Sequence, residues 1–153
     1  MTPEEKARQK IDQWFSDAGW KVVDRDEYEP TCTAVAIREG LLKGNLEADY
    51  FLFINGKAVG VLEAKREEID AFSDKVCNQA VLYARNVPKI YQTYQKPLPF
   101  IFTSNGKDLY FCDFRKQDSC FNQIMTIPTP YELVKLLGIN DYFAGLPTLR
   151  KKG

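Results

Sequence analysis

Glu47-Ala48-Asp49-Tyr50-Phe51-Leu52-Phe53-Ile54-Asn55-Gly56-Lys57-Ala58-Val59-Gly60-Val61-Leu62-Glu63-Ala64-Lys65 reads as two apolar β-strands joined by a turn. The first strand carries a carboxylate, Asp49, and the second closes on Glu63-Ala64-Lys65. Side chains alternate along a strand, so Glu63 and Lys65 share a face, with the carbonyl of Ala64 between them. Such a set suits metal-assisted cleavage of a phosphodiester. Mg²⁺ is a hard cation held by one or two carboxylates plus carbonyl oxygens; it lowers the pKa of a bound water and offsets charge at phosphorus. Asp49 and Glu63 are the candidate carboxylates, and Lys65 the group that orients the water or neutralises the phosphate.

The turn decides whether this set can assemble. A two-residue Asn55-Gly56 loop of type I′ sets Asp49 opposite Leu62, on the face away from Glu63. A three-residue loop, Ile54-Asn55-Gly56 with Gly56 left-handed in a bulge, brings Asp49, Val61 and Glu63 onto one face. The catalytic reading therefore requires an odd loop or a bulge. The alternative is a solvated hairpin end, since strand-edge charges are common and Glu4-Glu5-Lys6 repeats the Glu-x-Lys spacing at a helix start.

Working outward, Thr2-Pro3-Glu4-Glu5 is a helix start, with an N-cap hydroxyl, proline in the first turn and carboxylates where the helix dipole favours them. Ala7, Ile11, Trp14, Phe15 and Ala18 follow at helical spacing, and Gly19 ends the run. Trp20 to Val23 is a short strand, residues 24–33 with Pro30 a loop, and Ala34 to Arg38 an apolar stretch of open assignment. Ser73 caps a second helix bearing Val76, Ala80, Tyr83, Ala84 and Val87. Leu98–Thr103 and Asp108–Cys112 form a second hairpin around Asn105-Gly106. After a polar segment from Arg115, Thr129-Pro130 opens a last helix over Tyr131–Leu137, stopped by Gly138. This order gives an α/β sandwich with a mixed central β-sheet flanked by helices.

Composition bounds the function. The 153 residues carry 21 Lys and Arg against 21 Asp and Glu, a net charge of zero, so electrostatics alone give little hold on nucleic acid. Such a chain suits a catalytic module targeted by the rest of a larger machine. With no histidine, imidazole triads, His-metal sites and imidazole acid–base work are excluded. Cys32, Cys77, Cys112 and Cys120 lack zinc spacing and suit a reducing cytoplasm. No signal peptide or membrane-spanning run is evident, so the expected location is cytoplasmic.

With these elements in place, the chain resembles the PD-(D/E)XK nuclease superfamily, and more narrowly the amino-terminal nuclease domain of the restriction (motor) subunit of type I restriction-modification enzymes. The resemblance is carried by Glu4-x-x-x-Arg8-x-x-Ile11-Asp12 with Ala18-Gly19-Trp20, by Glu47-Ala48-Asp49, by Glu63-Ala64-Lys65 and by Gln79-Ala80-Val81-Leu82-Tyr83. Ser104-Asn105-Gly106 and Pro128-Thr129-Pro130-Tyr131-Glu132-Leu133 extend it over nearly the whole chain.

The resemblance implies a restriction-endonuclease-like sandwich over residues 1–147, with 148–153 a frayed or truncated tail. It implies a Mg²⁺-dependent endonuclease acting on double-stranded DNA, with Mn²⁺ as a substitute ion. Asp49, Glu63 and Lys65 would be catalytic, and Asp49, Glu63 and the Ala64 carbonyl would hold metal. Gln79 and Tyr83, one helical turn apart, would assist DNA or lysine placement; otherwise Tyr83 is core packing and Gln79 a rim residue. Glu4 has two readings, a further metal contact or a first-turn carboxylate. The implied partners are a motor (helicase) domain in the full-length subunit and the methylation and specificity subunits. ATP would enter only through that motor, because Gly56-Lys57 and Gly106-Lys107 lack the rest of a phosphate-binding loop. Two rivals are a stand-alone repair or junction nuclease and a non-catalytic binding or scaffolding module of the same fold.

Overall fold

The computed structural model describes residues 1–29, 33–41 and 47–139. Pro30, Cys32, the domain end expected at 147 and the tail expected at 148–153 lie outside the described residues. Helix α1 spans Pro3–Asp17 and begins on a reciprocal cap, in which Thr2 Oγ1 accepts from Glu5 N and the Glu5 carboxylate accepts from Thr2 N. Such a cap satisfies N–H groups that the first turn leaves unpaired, worth about 1 kcal/mol. Strands β1 (Lys21–Asp24), β2 (Ala34–Leu41), β3 (Glu47–Ile54) and β4 (Lys57–Ala64) follow. Helix α2 (Asp74–Arg85) starts on Ser73, whose Oγ accepts from Val76 N. Strands β5 (Gln92–Thr93), β6 (Phe100–Ser104), β7 (Leu109–Asp113) and β8 (Asn122–Ile124) precede helix α3 (Pro130–Leu137), which is capped by Thr129 and Glu132.

The sheet order is β1-β2-β3-β4-β6-β7-β8, with β5 beside β6 on the same edge of β4. β1 runs parallel to β2 and β4 parallel to β6, while the β2–β3, β3–β4, β6–β7 and β7–β8 pairs are antiparallel. The stretch from Ala34 is thus a strand, because it fills the place between β1 and β3. β5 and β8 are short polar strands without apolar alternation, and the sequence reading passed over both.

Each sheet face buries its own apolar set. Tyr50, Leu52, Ile54, Val59 and Leu62 pack with Ile11 and Phe15 of α1 and with Leu133 and Val134 of α3. Phe51, Phe53, Ala58 and Val61 pack with Ala80, Tyr83 and Ala84 of α2. Tyr50 and Phe51 are both fully buried, as adjacent residues can be only in a strand covered on both sides.

The β3–β4 turn has two residues, not three: Ile54 pairs with Lys57, and Asn55 and Gly56 take φ of 51° and 80°. Both are left-handed, as a type I′ turn requires, so of the two devices that the catalytic reading allows, an odd loop or a bulge, the odd loop is absent. The alternative device is present instead. Phe53 pairs with Ala58, yet Leu52 pairs with Gly60, leaving Val59 as an extra residue. Beyond this bulge Phe51 faces Val61 and Tyr50 faces Leu62. One further step along the ladder sets Asp49 against Glu63. Position 60, next to the bulge, needs glycine, because a Cβ there would stand 2.6 Å from the Phe100 carbonyl oxygen of β6.

Candidate active site

The bulge carries Asp49 and Glu63 to the α2 side of the sheet, at the ends of two neighbouring central strands. There they line a cleft of about 420 Å³ together with Glu4, Ala64, Lys65, Gln79 and Tyr83. Every residue singled out from the sequence therefore meets in one place. Arg8, Arg66 and Ile69 complete the lining, and none of the three had been given a role.

Glu63 is 3 % exposed. Its Oε2 lies 3.1 Å from Lys65 Nζ, while Oε1 is buried with no hydrogen-bond partner among the described residues. Burial is the main cause that pushes the Glu63 carboxyl up to about 8, with Asp49 beside it acting in the same direction and Lys65 opposing both. Asp49 Oδ2 accepts the backbone N–H of Ala64 at 2.8 Å, and Oδ1 pairs with the Arg8 guanidinium.

On α2, Gln79 Nε2 donates to the Tyr83 hydroxyl at 3.1 Å, so the two residues act as one polar group at the cleft wall. Tyr83 is also core, 5 % exposed, and burial together with the nearby Glu63 raises its phenol above the usual range. Glu4 lines the cleft but is exposed and lies 3.6 Å from Arg66 as an ion pair.

The segment after Lys65 is held by β6 and its turn. Lys65 N donates to Ser104 O, Thr103 Oγ1 to Ala71 O, and Asn105 Nδ2 to the carbonyls of Glu67 and Ile69. Asn105 Oδ1 accepts from Lys107 N and Asp108 N, so this buried amide braces its own turn and the cleft wall together. The Ser104-Asn105-Gly106 pattern had marked the hairpin; its bracing role needed the fold.

The donor set fits a hard divalent cation. Two adjacent carboxyl groups, one with a buried oxygen that has no hydrogen-bond partner among the described residues, are held in the metal-free protein by the proton on Glu63 and by Arg8 and Lys65, and a divalent cation would take the place of that proton. Among the described residues no group of three or more His, Cys, Asp or Glu side chains is placed to hold a metal. The side-chain ligands would thus be Asp49 and Glu63, with the Ala64 carbonyl completing the protein's share. No helix among the described residues is long and apolar enough to cross a membrane.

No curated protein matches the chain significantly. Among solved structures it is similar to a fragment of an HsdR subunit of a type I restriction enzyme from Vibrio vulnificus YJ016, with a TM-score of 0.59 and 23 % identity over 92 % of this chain and 27 % of that one. It spans about a quarter of that structure's length. A second similar structure is the type IIG restriction endonuclease BpuSI, with a TM-score of 0.48 and 20 % identity over 72 % of this chain and 11 % of that one. The mixed sheet flanked by helices is accordingly a restriction-endonuclease-like fold. Residues 35–119, more than half of the sequence and including Asp49, Glu63, Lys65, Gln79 and Tyr83, match the family model described as the type I restriction enzyme R protein N terminus, and the chain belongs to that family.

Proposed function

We propose that the chain is a Mg²⁺-dependent endonuclease domain that hydrolyses phosphodiester bonds of double-stranded DNA as part of a type I restriction enzyme R subunit. The observation that carries this reading is the β4 bulge, which brings Asp49 and Glu63 to one face despite a two-residue turn. A decorative hairpin end has no need of that device.

Asp49, Glu63 and the Ala64 carbonyl would hold the cation, which when bound supplies a water of lowered pKa and offsets charge on the phosphate. Mn²⁺, with the same preference for oxygen ligands, would substitute. Lys65, 3.1 Å from Glu63, orients that water or neutralises the attacked phosphate. The Gln79–Tyr83 pair lines the same cleft and would steady the DNA backbone or the lysine.

Net zero charge supports delivery of DNA by other parts of the enzyme: a motor domain driven by ATP, and specificity and methylation subunits. It also weighs against a stand-alone repair nuclease. A purely binding module gives no use to a buried Glu63 oxygen that has no hydrogen-bond partner among the described residues. The test is cleavage of duplex DNA by the assembled enzyme with Mg²⁺, with chelator, and with Asp49→Asn or Glu63→Gln. Cleavage should need the ion and both carboxylates; cutting that survives either substitution rejects the site.

A further inference from the structure

Asp49 is approached from two sides. Its Oδ2 is taken by the Ala64 N–H of the neighbouring strand, and its Oδ1 by the guanidinium of Arg8, which reaches over from α1. A cation is thus already seated at the carboxylate assigned above to metal. Guanidinium does not deprotonate in proteins, so it can vacate Asp49 only by moving.

The local structure lets the side chain move while the backbone stays. Tyr50, the residue after Asp49, shares its hydroxyl between the Arg8 carbonyl at 3.2 Å and Asp12 at 2.6 Å, which ties α1 to β3 at this point. One residue earlier, Ala7 is wedged so tightly against Gly106 that a Cβ there would stand 2.9 Å from the Ala7 Cα. The Arg8 side chain, by contrast, is 37 % exposed. Arg8 and Asp49 line both the cleft described above and an adjoining one, which is lined also by Glu5, Asp12, Asp24 and Arg38, the last paired with Asp12 at 2.9 Å and with Asp24 at 3.0 Å. Glu5 and Asp12 lie three and four residues from Arg8 on the same helix, within reach of its guanidinium.

We propose that Arg8 is the resident counter-cation of Asp49, and that a divalent metal ion binds by displacing its guanidinium out of the cleft, towards Glu5 and solvent. This rests on the metal-site reading above and adds a cost to it: the ion must outcompete Arg8, and each repels the other when close. In the metal-free protein Arg8 keeps the Asp49 carboxylate paired beside the buried Glu63. Arg8 is a positioning residue in this scheme.

The test is Mn²⁺ binding to the full chain without DNA, read as loss of the free-ion electron paramagnetic resonance signal, for the parent, Arg8→Gln, Arg8→Lys and Asp49→Asn. Arg8→Gln should bind Mn²⁺ about threefold to tenfold more tightly, the range set by a partly exposed ion pair and the relieved repulsion. Arg8→Lys keeps the charge and should stay near the parent, and Asp49→Asn should abolish binding. Equal or weaker binding by Arg8→Gln, with Asp49→Asn inactive in binding, overturns the displacement and leaves the metal site standing. Equal tightening by Arg8→Lys overturns it too. Binding that Asp49→Asn does not affect, or no binding by parent and Arg8→Gln alike, overturns both.

Discussion

Asp49 Oδ2 accepts a hydrogen bond from the backbone N–H of Ala64 at 2.8 Å, which clamps the first carboxylate to the strand that bears the second. That contact is possible only because the pairing of β3 and β4 slips by one residue between Phe53 and Leu52. Beside this slip, Gly60 packs too close to Phe100 of β6 to carry a Cβ.

Gly60→Ala should therefore destabilise the fold. A methyl group 2.6 Å from a backbone oxygen cannot be absorbed by a side-chain rotation, so β4 and β6 must separate. Overpacking of this kind costs about 1–3 kcal/mol. Urea unfolding should show a lower midpoint at unchanged slope, and an unaltered midpoint would refute the account of this contact.

Glu63 gives the metal-free protein a pH dependence of definite sign. The folded-state carboxyl titrates at about 8, above the 4.5 of an unperturbed glutamate, so between these values the folded state holds the proton that the unfolded state has lost. The contribution of Glu63 is complete below about pH 4.5 and is lost as pH rises towards 8. Chemical denaturation in chelator should show stability declining over this window from this group, and Glu63→Gln should flatten the decline. A parent and variant with parallel profiles would contradict the burial argument.

Metal affinity should follow the same proton. Binding of a divalent cation requires the ionised carboxylate, so below pH 8 it releases a proton from Glu63 and strengthens as pH rises, by up to about tenfold per unit. Calorimetric titration in buffers of different ionisation heat counts that proton directly. An affinity independent of pH between 6 and 8 would place the ion elsewhere.

Lys65→Ala in the assembled enzyme should lower cleavage roughly 10²-fold or more while leaving ATP hydrolysis and DNA binding near the parent, because in the proposed role the ammonium would act mainly on charge developing in the transition state. Lys65→Arg should fail as well, since a planar fork does not replace a compact point charge. Retained cleavage, or an equal loss of ATPase, would make the lysine structural.

Asn105→Ala should loosen the cleft wall from a distance. It removes the donors to the Glu67 and Ile69 carbonyls and the acceptor for two turn N–H groups, at a cost of about 1–3 kcal/mol. Amide hydrogen exchange should quicken over residues 66–72 more than over β3. Uniform exchange rates would mean that the segment holds itself.

Features set by near neighbours were legible in the chain. The three helix starts at Thr2, Ser73 and Thr129 depend on a cap hydroxyl that accepts from the backbone N–H three residues on, and the turn at Asn55-Gly56 on two residues that tolerate positive φ. Two-residue alternation placed Glu63 with Lys65, and the motif order led to the sandwich. The sequence also defined the condition for a site, namely that something between Asp49 and Glu63 must break the regular pairing. It did not say what. Beside the extra residue at Val59, Gly60 packs too close to Phe100 to carry a Cβ, a contact between strands separated by a helix in the chain. β5 and β8 exist because a neighbouring strand offers free backbone groups, which no pattern in Gln92-Thr93 or Asn122–Ile124 announces. Arg8 meets Asp49 across 41 positions, and Glu63 owes its raised pKa to burial under elements remote in sequence. Capping hydrogen bonds, turn preferences and alternation act over a few residues; packing distance, desolvation and hydrogen bonds between distant elements belong to the folded whole.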